Sequence, residues 1–195
     1  MRIVVVGASG TLGSAVVEAL AERGHEVLRA SRRGPLSVDL EAPDTLDGLF
    51  AAAGELDAVV CCAASGPLVD LAAVSDGEFE AGLQGKLLGQ VALARRGFGA
   101  VRDGGSVTLT GGTFAAPLPG GSLGALVNAG LEGFVRNAAA EAPRGIRLNL
   151  ISPGWIRETL EQLGQDGSGG TPAADVAAAY VTAVEGSANG TNVVP

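Results

Sequence analysis

Residues 7 to 13 read Gly-Ala-Ser-Gly-Thr-Leu-Gly, directly after the apolar run 3–6 and directly before an amphipathic segment. A strand, a loop with glycine at every third position and a helix, in that order, leave few folds open. The first amides of a helix have no intrahelical acceptor, and the helix dipole adds positive potential at that end. Glycine permits positive φ and removes the Cβ that would hold a phosphate away. Gly7, Ser9, Gly10, Thr11, Leu12 and Gly13 are therefore expected to cradle a pyrophosphate, with the Ser9 and Thr11 hydroxyls as further donors. The alternative is a glycine turn that only packs a helix on a strand.

The rest of the chain supports the ligand-binding context. Strands are expected at 3–6, 26–31, 36–40, 57–62, 106–110, 146–151 and 192–194, alternating with helical patterns. Several are apolar throughout, as strands covered on both faces must be. In the first helix Leu12, Ala15, Val16, Ala19 and Leu20 form one buried stripe, and Gly24 ends it with a left-handed residue. Thr171-Pro172 reads as the cap and first residue of a late helix, and the glycine-rich stretch 164–170 as a mobile loop. The expected fold is α/β: a Rossmann-type doubly wound parallel sheet in three αβα layers, one domain over residues 1–195.

A net charge of −8 argues against nucleic acid or an anionic membrane as partner. Cys61 and Cys62 are adjacent and His25 is the only histidine, so neither a disulfide framework nor a metal site is expected. The two thiols should point to opposite faces of a buried strand and pack there. No apolar run approaches the ~20 residues of a membrane span, and the expected location is the cytoplasm.

The end of the second strand reports on the ribose of a dinucleotide. A site for NAD would carry an acid there for the 2′-hydroxyl. This chain has Arg29-Ala30-Ser31-Arg32-Arg33. Ser31 stands in the acid's place, and Arg32 and Arg33 suit a 2′-phosphate, so NADP(H) is expected over NAD(H). The alternative is two solvated loop charges.

These residues, followed along nearly the whole chain, resemble the short-chain dehydrogenase/reductase family. The glycine loop looks like its cofactor loop. Val38-Asp39-Leu40 resembles the segment whose Asp meets the adenine, which implies contacts for Asp39 and Leu40. The run from Asp57 to Ala64 resembles the strand ending in Asn-Asn-Ala-Gly, with Cys at both Asn positions, and places Cys62, Ala63 and Ala64 at the cofactor. Residues 143–156 closely resemble the sixth strand and the Pro-Gly turn beside the nicotinamide, which implies roles for Pro153, Gly154, Trp155 and Ile156.

The catalytic pattern departs. The family's Ser, Tyr, Lys and Asn fall on or beside Gly111, on Gly124, on Asn128 and on Lys86. None matches. The only tyrosine, Tyr180, is expected on a helix outside the sheet. Lys86, the only lysine, shares a helical face with Phe79, Leu83, Gln90 and Ala94 and is expected to reach the cofactor or a substrate oxygen; the alternative is an ammonium that snorkels to water. Asn128 is a candidate for the ribose, or an asparagine bonded to backbone. Thr110, at a strand's carboxyl end, is a candidate for substrate contact. Trp155 either shields the nicotinamide or belongs to the core, and His25 reads as structural.

The expected function is therefore an NADP(H)-dependent oxidoreductase of this type with a non-standard site, acting on a small carbonyl or alcohol. The alternatives are a dinucleotide sensor or scaffold without turnover, and isomerase or lyase chemistry with Lys86 as base. The short segment after Ile156 leaves little room for a substrate lid. Ala125, Ala129 and Gly133 form a small-residue stripe, and the resemblance implies a homodimer or homotetramer built partly on that helix.

Overall fold

The computed structural model describes residues 1–64, 66 and 68–195. In chain order the elements are β1 (Arg2–Val6), α1 (Thr11–Glu22), β2 (Glu26–Ser31), β3 (Leu36–Ser37), α2 (Thr45–Ala53), β4 (Leu56–Cys61) and α3 (Asp76–Leu83). A π-helical turn (Gln84–Gly89) then leads into α4 (Gln90–Ala100), followed by β5 (Val101–Thr110), α5 (Ser122–Glu141), β6 (Arg147–Ile151), α6 (Arg157–Gln162), α7 (Ala173–Glu185) and β7 (Asn192–Val193). The strands form one seven-stranded parallel sheet in the order β3-β2-β1-β4-β5-β6-β7.

β1 shows why its sequence is apolar at every position. Ile3 and Val5 face α1 and α7, against Val16, Leu20, Val176 and Tyr180. Val4 and Val6 face the other layer, with Leu46, Leu49, Leu93 and Leu131. Both faces are dry, and each such side chain contributes about 1.5–3 kcal/mol by leaving water. The three αβα layers follow, and the sheet reverses its order of growth between β1 and β4. A crevice opens at the carboxyl ends of strands at such a point.

Local signals held where they were local. Gly24 adopts φ +80° directly after α1, and its amide donates to the Ala21 carbonyl. His25 is structural, its Nε2 3.0 Å from Glu185 Oε1.

Three expectations need correction. β3 ends at Ser37, so Val38–Leu40 is no strand, although Val38 and Leu40 are buried. α7 starts at Ala173 with Pro172 as its cap residue and no side-chain cap, because Thr171 instead pairs with the chain at Ile156. The stretch 164–170 is not a free loop. Gln165 donates to the Leu160 carbonyl, the Asp166 carboxylate accepts from the Ser168 amide, and Gly170 lies so close to Arg157 that a Cβ would stand 2.6 Å from its backbone. No helix among the described residues is long and apolar enough to cross a membrane.

Candidate active site

The glycine loop joins β1 to α1 at the switch point. Gly7 has φ +82°, and a Cβ on it would stand 2.6 Å from the Ala63 amide, so the loop lies directly on the end of β4. A Cβ on Gly13 would overlap the Gly7 carbonyl. These two glycines are required by packing. Gly10 is different: its absent side chain would meet only the Gly7 oxygen, at 3.5 Å. A phosphate can approach over Gly10 without displacing protein.

Not every amide of the loop is free. Gly7 and Ala8 both donate to the Ala30 carbonyl, and Gly10 donates to Gly7. The first amide of α1 with an intrahelical acceptor is that of Ser14, bonded to Gly10. That leaves the amides of Ser9, Thr11, Leu12 and Gly13 for a ligand, at an N-terminus without a side-chain cap. The backbone fits a diphosphate with four donors rather than with the amides of all six residues expected from the sequence.

Around the loop the expected ribose and adenine residues differ in their exposure. Arg32 and Arg33 are exposed, and neither has an ion-pair partner among the described residues. A third arginine, missed by the sequence reading, lies nearer: Arg29 Nη2 donates to the Ala8 carbonyl at 3.1 Å. Asp39 uses Oδ1 to accept from the Glu41 amide. Leu40 is buried beneath the π-turn. Cys62 donates its amide to Val6, and Ala63 and Ala64 follow it, half-buried.

The catalytic candidates divide. Lys86 lies in the π-turn, where one extra residue per turn rotates it out of the α-helical register; such bulges are frequent at functional sites. A methyl placed on Gly112 would stand 3.5 Å from Lys86 Nζ, and 3.2 and 3.4 Å from Asn128 Nδ2 and Oδ1. Two helices thus bring a cation and a carboxamide together over a bare glycine beyond β5. Among the described residues Asn128 Oδ1 is buried without a partner, and the expected alternative of an asparagine bonded to backbone is not seen there. Burial pulls the lysine down from its ordinary 10.5 to about 8.

Gln90 holds this arrangement and was not singled out from sequence. Fully buried, its Nε2 donates to the carbonyls of Lys86 and Thr110 at 2.8 Å each, and its Oε1 accepts from the Thr110 amide at 2.8 Å. A buried glutamine on an apolar face, with Gly85 and Gly89 beside it, was the available signal. Gln90→Leu strands three backbone groups at about 1–3 kcal/mol each. It is expected to destabilise the fold by roughly 3 kcal/mol or more, read as a lower midpoint in urea unfolding.

Thr110 is a correction. Its hydroxyl donates to the Cys61 carbonyl and lies 2.5 Å from the Tyr180 hydroxyl, on the face opposite Lys86, with 2% exposure. It is not placed to touch a substrate. Tyr180 lies on α7, a helix packed outside the sheet as expected, and it is fully buried, its ring reaching from α7 to the sheet. Burial holds its hydroxyl well above the ordinary tyrosine range and pushes Cys61 up to about 12, so neither serves acid–base chemistry near neutral pH. Cys61 and Cys62 face opposite layers as packed thiols.

A Cβ on Gly124 would meet the Phe114 ring at 3.2 Å. At Gly111 a Cβ would stand 2.6 Å from Ser152 Oγ. Pro153 accepts from the Thr113 amide, Ile156 is buried, and Trp155 is 42% exposed and so not core. Short as the segment after Ile156 is, α6 reaches the glycine loop: Thr11 Oγ1 donates to Gln162 Oε1 at 3.2 Å. Gln162 had no distinguishing sequence signal. No group of three metal-ligating side chains comes together among the described residues.

The parallel sheet with a glycine loop at its switch point defines a Rossmann-type protein. A family model described as enoyl-(acyl carrier protein) reductase matches residues 1–178. The protein lin1944 from Listeria innocua is similar over 100% of this chain and 98% of its own, at 35% identity and TM-score 0.93. A small-chain dehydrogenase solved in complex with NADPH is 25% identical, with coverage of 100% and 96% and TM-score 0.85. A citronellol catabolism dehydrogenase from Pseudomonas aeruginosa shares the fold at 24% identity and TM-score 0.83, covering 100% of this chain and 92% of its own. No curated protein matches. The chain belongs to the short-chain dehydrogenase/reductase family.

Proposed function

We propose that this protein is an NADP(H)-dependent oxidoreductase that interconverts a small carbonyl compound and its alcohol. The observation that carries the reading is the unfilled space over Gly10, faced by the free amides of Ser9, Thr11, Leu12 and Gly13. The NADPH in the 25%-identical small-chain dehydrogenase supports it. The bound dinucleotide would supply the hydride. The chain's own part is to hold the diphosphate on α1, to meet the 2′-phosphate with Arg32 and Arg33, and to present Asn128 to a ribose or substrate oxygen. Lys86 then polarises the carbonyl and gives its proton to the oxygen that becomes the alcohol.

A side-by-side calorimetric titration with NADPH and NADH tests this. NADPH is expected to bind at least tenfold tighter. Arg32→Ala and Arg33→Ala should each weaken NADPH about tenfold while leaving NADH unchanged, since one charge-assisted contact is worth about 1.5–3 kcal/mol. Equal affinities for the two cofactors would remove the arginine argument.

One observation favours a second reading. Gly124, where the resemblance puts the family's proton donor, has no side chain, and the Phe114 ring lies 3.2 Å from where a Cβ would stand, as suits a sensor or scaffold that keeps the cleft without turnover. Stoichiometric NADPH binding with no oxidation across a panel of small aldehydes and ketones would select it. We further propose a cytoplasmic homodimer or homotetramer using the exposed Ala125 and Ala129 of α5; a monomeric mass by light scattering counts against it.

A further inference from the structure

Lys86 is the only lysine in the chain, and among the described residues no carboxylate pairs with it. The ion pairs of the described residues engage Arg2, Arg23, His25, Arg96, Arg102 and Arg144, none of them at this site. The π-turn that carries it packs against α3, α4 and α5. No carboxylate on those helices moves the lysine, nor does Glu41, which lies against the neighbouring Gly85; burial is the whole cause of its lowered basicity.

An amine in such a place is a nucleophile as well as an acid. Gly112 leaves the approach to Nζ open, and Asn128 Oδ1, without a partner among the described residues, is free to accept a hydrogen bond from an oxygen or nitrogen bound there. We propose that Lys86 captures small aldehydes covalently as a Schiff base. This rests on the same reading of the cleft as a site for small carbonyls, and adds an activity that needs no dinucleotide.

The step balances without a co-reactant. The neutral amine's lone pair forms the C–N bond, and the carbonyl π pair moves to oxygen, which takes up a proton. The carbinolamine then loses water to leave a protonated imine. Overall, one ammonium and one aldehyde give one iminium and one water. Protonation decides between the two roles: the ammonium donates to a carbonyl oxygen, the amine adds to its carbon.

The test uses the full chain, butanal and sodium cyanoborohydride at pH 7, with peptide mapping by mass spectrometry. With a single lysine, only Lys86 and the N-terminal amine compete. We expect a reduced adduct on Lys86, formed at least about tenfold faster in the folded chain than in urea, where the lysine regains its ordinary basicity. In Lys86→Arg only the N-terminal adduct should remain. An adduct confined to the N-terminus, or Lys86 labelled no faster folded than unfolded, overturns the proposal. An NADPH titration on the same sample separates the two ideas: labelling without NADPH binding sinks the oxidoreductase reading alone, and NADPH binding without labelling sinks this one.

Discussion

Lys86→Met is expected to cut NADPH-dependent carbonyl reduction by about 10²–10⁴-fold, the usual worth of a positioned general acid. Among the described residues, the groups the site brings together offer no second acid of this kind. Asn128 has no acidic proton, Gly124 has no side chain, and the Tyr180 and Thr110 hydroxyls are buried on the opposite face of the sheet. Lys86→Arg should lose as much, because a guanidinium stays charged and cannot release its proton. NADPH affinity should change little in either variant, which places the loss in the chemical step.

The pH dependence follows from the same residue. The ammonium is the active form for reduction, and burial sets its midpoint at about 8. Reduction should be full below that value and fall as the pH rises through it. Alcohol oxidation, which needs the free amine, should rise over the same window. Stability moves the other way. A lysine with a folded pKa of about 8, below the unfolded 10.5, opposes folding in full below about pH 8, and the cost fades as the pH rises from there to 10.5. Lys86→Met should therefore keep or raise the melting temperature at pH 7. A slow variant that is also less stable would point to structural damage instead, and an undiminished rate would end the proton-donor assignment.

How far the sequence reached depends on the range of the interaction involved. The glycine loop, the strand–helix alternation and the Gly24 stop are set by neighbours within a few residues, and the structure has them where the pattern put them. The π-turn was not legible. Phe79, Leu83, Lys86, Gln90 and Ala94 read as one unbroken helical face. What breaks it is distant: Gln90 bonds the end of β5, and Gly89 presses on the Leu40 carbonyl, where a Cβ would collide. The free amides were overcounted for a similar reason, since Ala30 on β2 captures two of them. Stretch 164–170 was misjudged from composition. Gly167 and Gly170 lie against α6, where a Cβ would crowd Glu161 and Arg157, a packing reason for glycine that composition does not carry.

Gly10 and Gly13 look alike in sequence and should fail in opposite ways when replaced by alanine. At Gly13 the new methyl would fall on the Gly7 carbonyl and stand 2.8 Å from its carbon and 3.1 Å from Ala8 Cα, all backbone that cannot swing aside. α1 must then lift from the loop. Overpacking of this kind costs about 1–3 kcal/mol, or roughly 3–10 °C in melting temperature for a chain of this size. At Gly10 the backbone is already extended at φ −81°, and the methyl meets only one oxygen at 3.5 Å. The fold should survive within about 1 kcal/mol, part of it the poorer cap that alanine makes. NADPH binding should nevertheless weaken tenfold or more, because the methyl occupies the space in which the diphosphate must lie against the four free amides. Gly13→Ala thus reads mainly in thermal denaturation, and Gly10→Ala mainly in the titration. If Gly10→Ala binds NADPH as tightly as the parent chain, the diphosphate does not lie over Gly10. The amides of α1 would then be a helix terminus open to water, and the oxidoreductase reading would lose the contact on which its cofactor rests.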